Sequence, residues 1–243
     1  MSPAIELAGG VARATFDGGR WTLDADRDHV ASLAAAVATQ PDGNHRRWVV
    51  SEPAEADAVT AHAIGLPVER DVLQLRRALP VEPAVASEYP VVEVRPFRPG
   101  TPDEEAWVAS NNRAFAGHPD QAGFTLDRLH TLMLEPWFEP AGFLLHEQDG
   151  SLLGFCWTKI HDEAEPPLGE IFVIGLDPAA GGRGLGGAMT LAGLAWLAGQ
   201  GLSVGMLYVD ADNTPARRMY DRLGFTVHHT DRVFDSEPEV PNR

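Results

Sequence analysis

Gly169-Glu170-Ile171-Phe172-Val173-Ile174-Gly175-Leu176-Asp177-Pro178, then Gly181-Gly182-Arg183-Gly184-Leu185-Gly186-Gly187, then the apolar run 188–198, decide how this chain folds. The first eight residues are β-branched, aromatic and few, and they stop at an Asp-Pro breaker, so they predict a buried strand. The glycines predict a loop, and residues 188–198 a helix that ends at Gly199. Strand, glycine loop and helix N-terminus together form an anion site. Backbone N–H groups there lack helical partners, and the helix dipole favours negative charge. Without side chains, the loop can approach a pyrophosphate closely.

Outward from this centre, residues 206–209 read as a second short strand leading into Asp212-Asn213-Thr214-Pro215-Ala216-Arg217-Arg218-Met219-Tyr220 and then Leu223-Gly224-Phe225. Asn213 is a good helix cap, Pro215 suits a first turn, and Gly224 is a C-terminal stop. On the other side, residues 142–147 and 152–160 read as strands of a hairpin turning at Gln148-Asp149-Gly150. Before them, residues 103–114 and 125–134 read as helices, capped at Thr101 and Thr125. Residues 91–97 alternate like a strand and turn at Pro99-Gly100.

Residues 1–78 are less regular. They predict strands at 11–16 and 20–23 around Asp17-Gly18-Gly19, a helix at 28–39, a strand at 47–50, a helix at 55–64 and a strand at 72–79. No glycine loop precedes the first helix, so no cofactor site is readable there. Residues 80–90 carry Pro80, Pro83 and Pro90 and read as a linker; residues 236–243 read as a mobile acidic tail.

Composition narrows the function. With 44% hydrophobic and 22% charged residues, the 243-residue chain can bury a core. A formal net charge of −16 argues against generic nucleic-acid binding, which draws on Lys and Arg facing phosphates. A single cysteine, Cys156, rules out an intrachain disulfide and a cysteine-based zinc cluster. His118 and His161 lack a paired-ligand pattern, so no metal is expected. Neither a signal peptide nor an apolar span of membrane length is readable, which predicts a cytoplasmic location with no membrane partner.

The order strand, Arg183-Gly184-Leu185-Gly186 loop, and Asn213-(x)2-Ala216-(x)3-Tyr220-(x)2-Leu223-Gly224-Phe225 resembles the acetyl-CoA-binding core of the GNAT N-acetyltransferase superfamily. The resemblance implies an α/β fold on a mixed sheet: a complete GNAT domain at 91–235 behind a partial, degenerate GNAT-like domain at 1–79. Residues 111–121 (Asn111 through His118 to Gln121), Glu135–Pro140, Gly154–His161 and Leu207–Asn213 are similar to segments of the mycothiol synthase family. That family moves acetyl from acetyl-CoA to the cysteine amine of cysteinyl-glucosaminyl-inositol.

The resemblance implies roles position by position. Glu170 matches the general base that works through water, and Tyr220 the phenol that protonates the leaving thiolate. Asp120, Lys159, Glu170 and Tyr208 match positions that contact the acceptor. Ile174, Gly175 and Leu176 offer strand backbone to acetyl-CoA. Gly181, Gly182, Arg183, Gly184, Leu185, Gly186 and Gly187 cradle its pyrophosphate. Asn213, Thr214, Pro215, Ala216, Arg217 and Arg218 flank its arm. A small-molecule acceptor and a monomer are expected. The chain departs from the family's pattern at Gly181, where GNAT loops usually carry Gln or Arg, at Cys156, where histidine is common, and in its shortened N-terminal half.

Chemistry argues for the same groups. An amine protonated at neutral pH must lose a proton before attacking a thioester, and a nearby carboxylate can take it. Backbone donors where a strand splays around Ile174 suit the tetrahedral intermediate. A tyrosine near sulfur avoids release of a bare thiolate. Two other readings stay open on sequence: an acetyltransferase for another small amine, and a non-catalytic acetyl-CoA-binding protein. Taken singly, Glu170 also fits a solvent-facing strand position, Tyr220 a core aromatic, and Lys159 a surface cation.

Overall fold

Residues 3–7, 9–17, 19–118, 121–180 and 184–236 are described by a computed structural model, and their contacts divide the chain into two units. The first takes residues 1–74, 209–213 and 227–243; the second takes 75–208 and 214–226. Gly18, Asp120, Gly181, Gly182, Arg183 and the tail after Ser236 lie outside the described residues. Among the described residues, no helix is long and apolar enough to cross a membrane.

In the first unit, β1 (Ala4–Glu6), β2 (Arg13–Asp17) and β3 (Arg20–Asp24) form an antiparallel meander. Helix α1 (Arg27–Val37) then carries the chain over to β4 (Arg46–Ser51), parallel to β3. Asp26 starts α1, its carboxylate accepting from the N–H groups of Asp28 and His29. Helix α2 (Glu55–Ala63) and the start of β5 (Val68–Ala78) follow. The expected order of strand, helix, strand, helix, strand is therefore present. The unit also holds most of the chain's last strand, β11 (Thr226–Asp235), antiparallel to β4. Its core gathers Trp21, Leu23, Val30, Leu33 and Val37 around Trp48, which stacks on Phe234 with centroids 5.5 Å apart. The Trp48 indole N–H donates to the Ala25 carbonyl at 2.9 Å, so the buried ring leaves no unpaired donor.

The second unit begins with the rest of β5 and a four-residue helix, α3 (Pro83–Ala86), inside the proline-rich stretch. Strand β6 (Arg95–Pro96) has two residues where sequence alternation predicted seven; Pro96 has no amide N–H for a ladder bond. Helices α4 (Asp103–Ala114) and α5 (Leu126–Met133) follow, with Thr125 capping α5 as expected. The carboxylate of Asp103 is buried in the first turn of α4. Burial pushes it upward, but bonds from Arg95 and Arg98 more than offset this and hold it well below the usual carboxylate range.

Strands β7 (Phe143–Gln148), β8 (Ser151–His161) and β9 (Leu168–Leu176) run antiparallel in sequence. Helix α6 (Leu185–Gly199) returns the chain so that β10 (Val204–Asp210) lies parallel to β9. Helix α7 (Thr214–Arg222) ends at Gly224, whose φ of +80° only glycine adopts without strain. The order of strands here is β5-β10-β9-β8-β7-β6, a mixed sheet.

An aromatic cluster holds one face of this sheet. Trp157 of β8 lies parallel to Phe143 at 4.5 Å and edge-on to Trp107 of α4 at 5.6 Å, and it is fully buried. Replacing Trp157 with Ala removes contacts to Phe138 and Phe172 as well. We expect a loss of about 3–5 kcal/mol in a urea-unfolding experiment. Unchanged stability would mean that the cluster is not the keystone of this unit.

Candidate active site

The site is built where β9 and β10 part. Their parallel register runs Gly205↔Gly169, Met206↔Glu170 and Leu207↔Ile171, then stops, although β9 continues to Leu176 and β10 beyond Tyr208. On its other side β9 stays paired with β8 to its end, through Cys156↔Ile174, Phe155↔Gly175 and Gly154↔Leu176. That pairing slips by one residue between Trp157↔Val173 and Thr158↔Ile171, which makes Phe172 the extra residue of a bulge. Residues 172–176, Ile174, Gly175 and Leu176 among them, thus lie along the opening.

Strand alternation then sorts the candidate side chains. Lys159 lies opposite Glu170, and His161 follows on the same face of β8. Met206 lies opposite Glu170 on β10, so Tyr208, two residues on, shares that face and is 44% exposed. Three residues predicted to contact the acceptor (Lys159, Glu170, Tyr208) are therefore brought to one face. Lys159 Nζ sits 4.9 Å from the centroid of Trp137 and 5.9 Å from that of Phe172, a cation held over aromatic rings. Glu170 is buried, and its Oε2 lies 2.7 Å from Nε2 of His161.

The opposite face belongs to α6 and α7. Cys156 points there, so close to α6 that a Cβ on Gly193 would lie 2.4 Å from its Sγ. It is completely buried, and burial pushes its thiol up to about 12. Cys156 is thus a packing residue, turned away from the face that carries Glu170, so its departure from histidine does not bear on contacts at that face. Tyr220 of α7 is buried beside it and packs edge-on against Phe225 at 5.6 Å. Burial, with the Cys156 thiol adding to it, raises the Tyr220 phenol above its usual range, so it keeps its proton. Glu170 and Tyr220 thus lie on opposite faces of the sheet.

Helix α6 starts at Leu185, three residues earlier than predicted, because Gly184 takes the left-handed conformation (φ +73°) and turns the chain into it. Leu185, Gly186 and Gly187 are therefore first-turn residues, whose N–H groups precede the first helical bond, Ala188 N–H to Gly184 O at 3.3 Å. Among the described residues, no side chain caps them. Bare amides, a helix dipole and absent side chains fit an anionic phosphate group. Gly187 has a second reason to be glycine: a Cβ would lie 2.1 Å from the ring of Tyr89. Tyr89 was not anticipated, because its place beside α6 is a tertiary contact with no local signal.

Asn213 immediately precedes α7. Thr214, Pro215, Arg217 and Arg218 are exposed in its first turns, while Ala216 is half-buried. Met219 of the same helix lies against Gly186 of α6, and exposed arginines there suit a phosphate-bearing arm. Asn111 and Asn112 fasten the chain that follows the undescribed Asp120, by bonds to Gln121 O (3.0 Å) and Phe124 O (2.9 Å). His118 accepts from the Gln121 N–H through Nδ1 at 3.2 Å. Among the described residues, no group of three or more His, Cys, Asp or Glu side chains is arranged to hold a metal.

Comparison with known proteins agrees with this architecture. Residues 106–225 match the acetyltransferase (GNAT) family. The chain is similar to the mycothiol acetyltransferase of Thermomonospora curvata, 42% identical over 239 residues, covering 98% of this chain and 77% of the relative. It is 48% identical over 206 residues to that of Thermobispora bispora, covering 83% and 69% respectively, and 43% identical over 217 residues to that of Acidothermus cellulolyticus, of which it spans 65%. In fold, it is similar to a GCN5-related N-acetyltransferase from Sphaerobacter thermophilus, with a TM-score of 0.67 at 20% identity, covering 97% of this chain and 80% of that one. A tandem GNAT protein of the clavulanic acid biosynthesis pathway gives a TM-score of 0.62 at 17% identity, covering 96% and 82%.

Proposed function

We propose that this chain, which belongs to the mycothiol acetyltransferase family within the GNAT acetyltransferases, transfers acetyl from acetyl-CoA to the cysteine amine of cysteinyl-glucosaminyl-inositol. The observation that supports this reading is that Glu170, beside the point where β9 and β10 part, and Tyr220, buried near Cys156, lie on opposite faces of the sheet. A thioester carbonyl lying in that opening would meet its nucleophile from one side and release its leaving group towards the other.

Acetyl-CoA supplies the activated acetyl group, and the chain's residues do the rest. The N–H groups of Leu185, Gly186 and Gly187 would receive the pyrophosphate, with the loop at 181–184 completing the cradle. Thr214, Pro215, Ala216, Arg217 and Arg218, with Asn213 before them, would flank the arm. The main chain of Ile174, Gly175 and Leu176 would hold the thioester end. Lys159, Tyr208 and Asp120 would orient the acceptor, and the Trp137 and Phe172 rings offer flat apolar surface beside Lys159.

Glu170 takes the proton from the acceptor ammonium, directly or through one water, and frees the amine lone pair. The amine nitrogen bonds to the acetyl carbonyl carbon, and main-chain donors along the opened edge of β9 steady the oxygen. The carbon–sulfur bond then breaks, Tyr220 gives its proton to the sulfur, and the second N–H proton, lost as the amide forms, passes through water to restore the Tyr220 phenol. No covalent bond to the protein forms.

Acceptor choice tests the reading. CoA release should be fast with cysteinyl-glucosaminyl-inositol and much slower with free cysteine or with glucosaminyl-inositol. Equal rates for all three would reject the assigned acceptor, and silence with every amine despite acetyl-CoA binding would reject the enzyme.

A further inference from the structure

We propose that His161 is a positioning residue for Glu170: its Nε2 fixes one carboxylate oxygen and its charge favours the ionised base, leaving the other oxygen for the acceptor's proton. The inference rests on the reading of Glu170 as general base. It begins from a need of the fold. The side chain of Glu170 is 9% exposed, and a buried carboxylate is costly without a hydrogen-bond donor or cation beside it. A base in that position needs a partner.

His161 is built to be that partner. The ring is clasped between two carboxylates, with Nε2 2.7 Å from Oε2 of Glu170 and Nδ1 3.2 Å from Oε1 of Glu163. The three groups step outward from the buried Glu170 through His161 to Glu163, whose side chain is 79% exposed. Both nitrogens thus meet acceptors, an arrangement that suits the doubly protonated imidazolium. Among the described residues, the charged and titratable groups facing this ring are Glu170 from β9, Glu163 from the turn after β8, and Lys159 two residues back on β8; Tyr208 of β10 shares the face. The bond to Glu170 raises the pKa of His161 above the ordinary imidazole value, although partial burial and Lys159 pull the other way. Because a raised value favours the cation below it, the pair is charged on the acid side and loses the imidazolium as pH rises.

Two substitutions and one titration test the role. His161→Leu removes both donor and charge, and kcat should fall about tenfold to a hundredfold. More telling, the acid limb of the kcat–pH profile, measured at saturating acceptor, should move to higher pH. His161→Gln keeps a donor at reach of Oε2 without the charge, and should recover part of kcat with an intermediate limb. KM for acetyl-CoA should stay unchanged in both. A purely structural histidine would lower stability and leave the limb where it is, and that result, or full kcat in the Leu variant, overturns the proposal. Should the Leu variant not fold, nitrogen NMR of the histidine rings decides. In the unsubstituted protein His161 should titrate above free imidazole, and in Glu170→Gln it should fall back; identical titration in the two would overturn the proposal. Absence of turnover in the unsubstituted protein would instead strike the assigned function.

Discussion

Glu170→Gln should lower kcat about a hundredfold to ten-thousandfold, the usual range for losing a positioned general base, with acetyl-CoA bound as tightly as before. The amide has nearly the shape of the carboxylate and retains an oxygen towards His161, so the change is in basicity more than in packing. Acetyl-CoA affinity should hold because the first turn of α6 and the arm at 213–218 do not depend on the side chain of Glu170. Raising the pH should recover part of the rate, since the fraction of acceptor already deprotonated grows. A Gln variant with wild-type kcat at neutral pH would remove Glu170 from the chemistry.

Tyr220→Phe is the second large effect. Phenylalanine preserves the edge-on contact to Phe225 and the packing beside Cys156, so the fold should be nearly unaffected. The loss is the proton offered to sulfur, and a fall in kcat of about a hundredfold is expected, at the low end of acid catalysis because a thiolate leaves more easily than an alkoxide or amide. Burial keeps the phenol protonated well beyond its ordinary range, so wild-type kcat should show no alkaline decline from this group up to the normal titration of tyrosine. Stopped-flow measurement of CoA release in both proteins checks the claim; equal rates would mean that water protonates the leaving sulfur.

These expectations draw on residues that differ in how plainly the chain announces them. The run from Leu168 through β9, α6, β10 and α7 was legible because breakers delimit it: Asp177-Pro178 ends the strand, and Gly199 and Gly224 fall at helix ends. Strand β11 was not read, because Thr226–Asp235 is polar for most of its length, exposed at its start, and buries only Val233, Phe234 and Asp235. Strand β6 was overread, since alternation in 91–97 cannot reveal that only Arg95 and Pro96 find partners across the ladder. Within the site, Glu170, Lys159 and Tyr208 were recognised as candidates one by one, yet their common face follows from the register of β8, β9 and β10. The bond between His161 and Glu170 was invisible for the same reason. It joins residues nine apart across a hairpin, and only the pairing Lys159↔Glu170 shows that both side chains lie on one face. Cys156 shows the converse. Next to Trp157 in sequence, it faces the other side of the sheet and packs on Gly193.

The most direct measurement is the mass and fragmentation of the product formed when the purified protein meets acetyl-CoA and cysteinyl-glucosaminyl-inositol. One added acetyl group is expected, located on the cysteine nitrogen, with one CoA released for each. An acetyl on sulfur or on a sugar hydroxyl, or an acceptor returned unchanged while acetyl-CoA is bound, would contradict it.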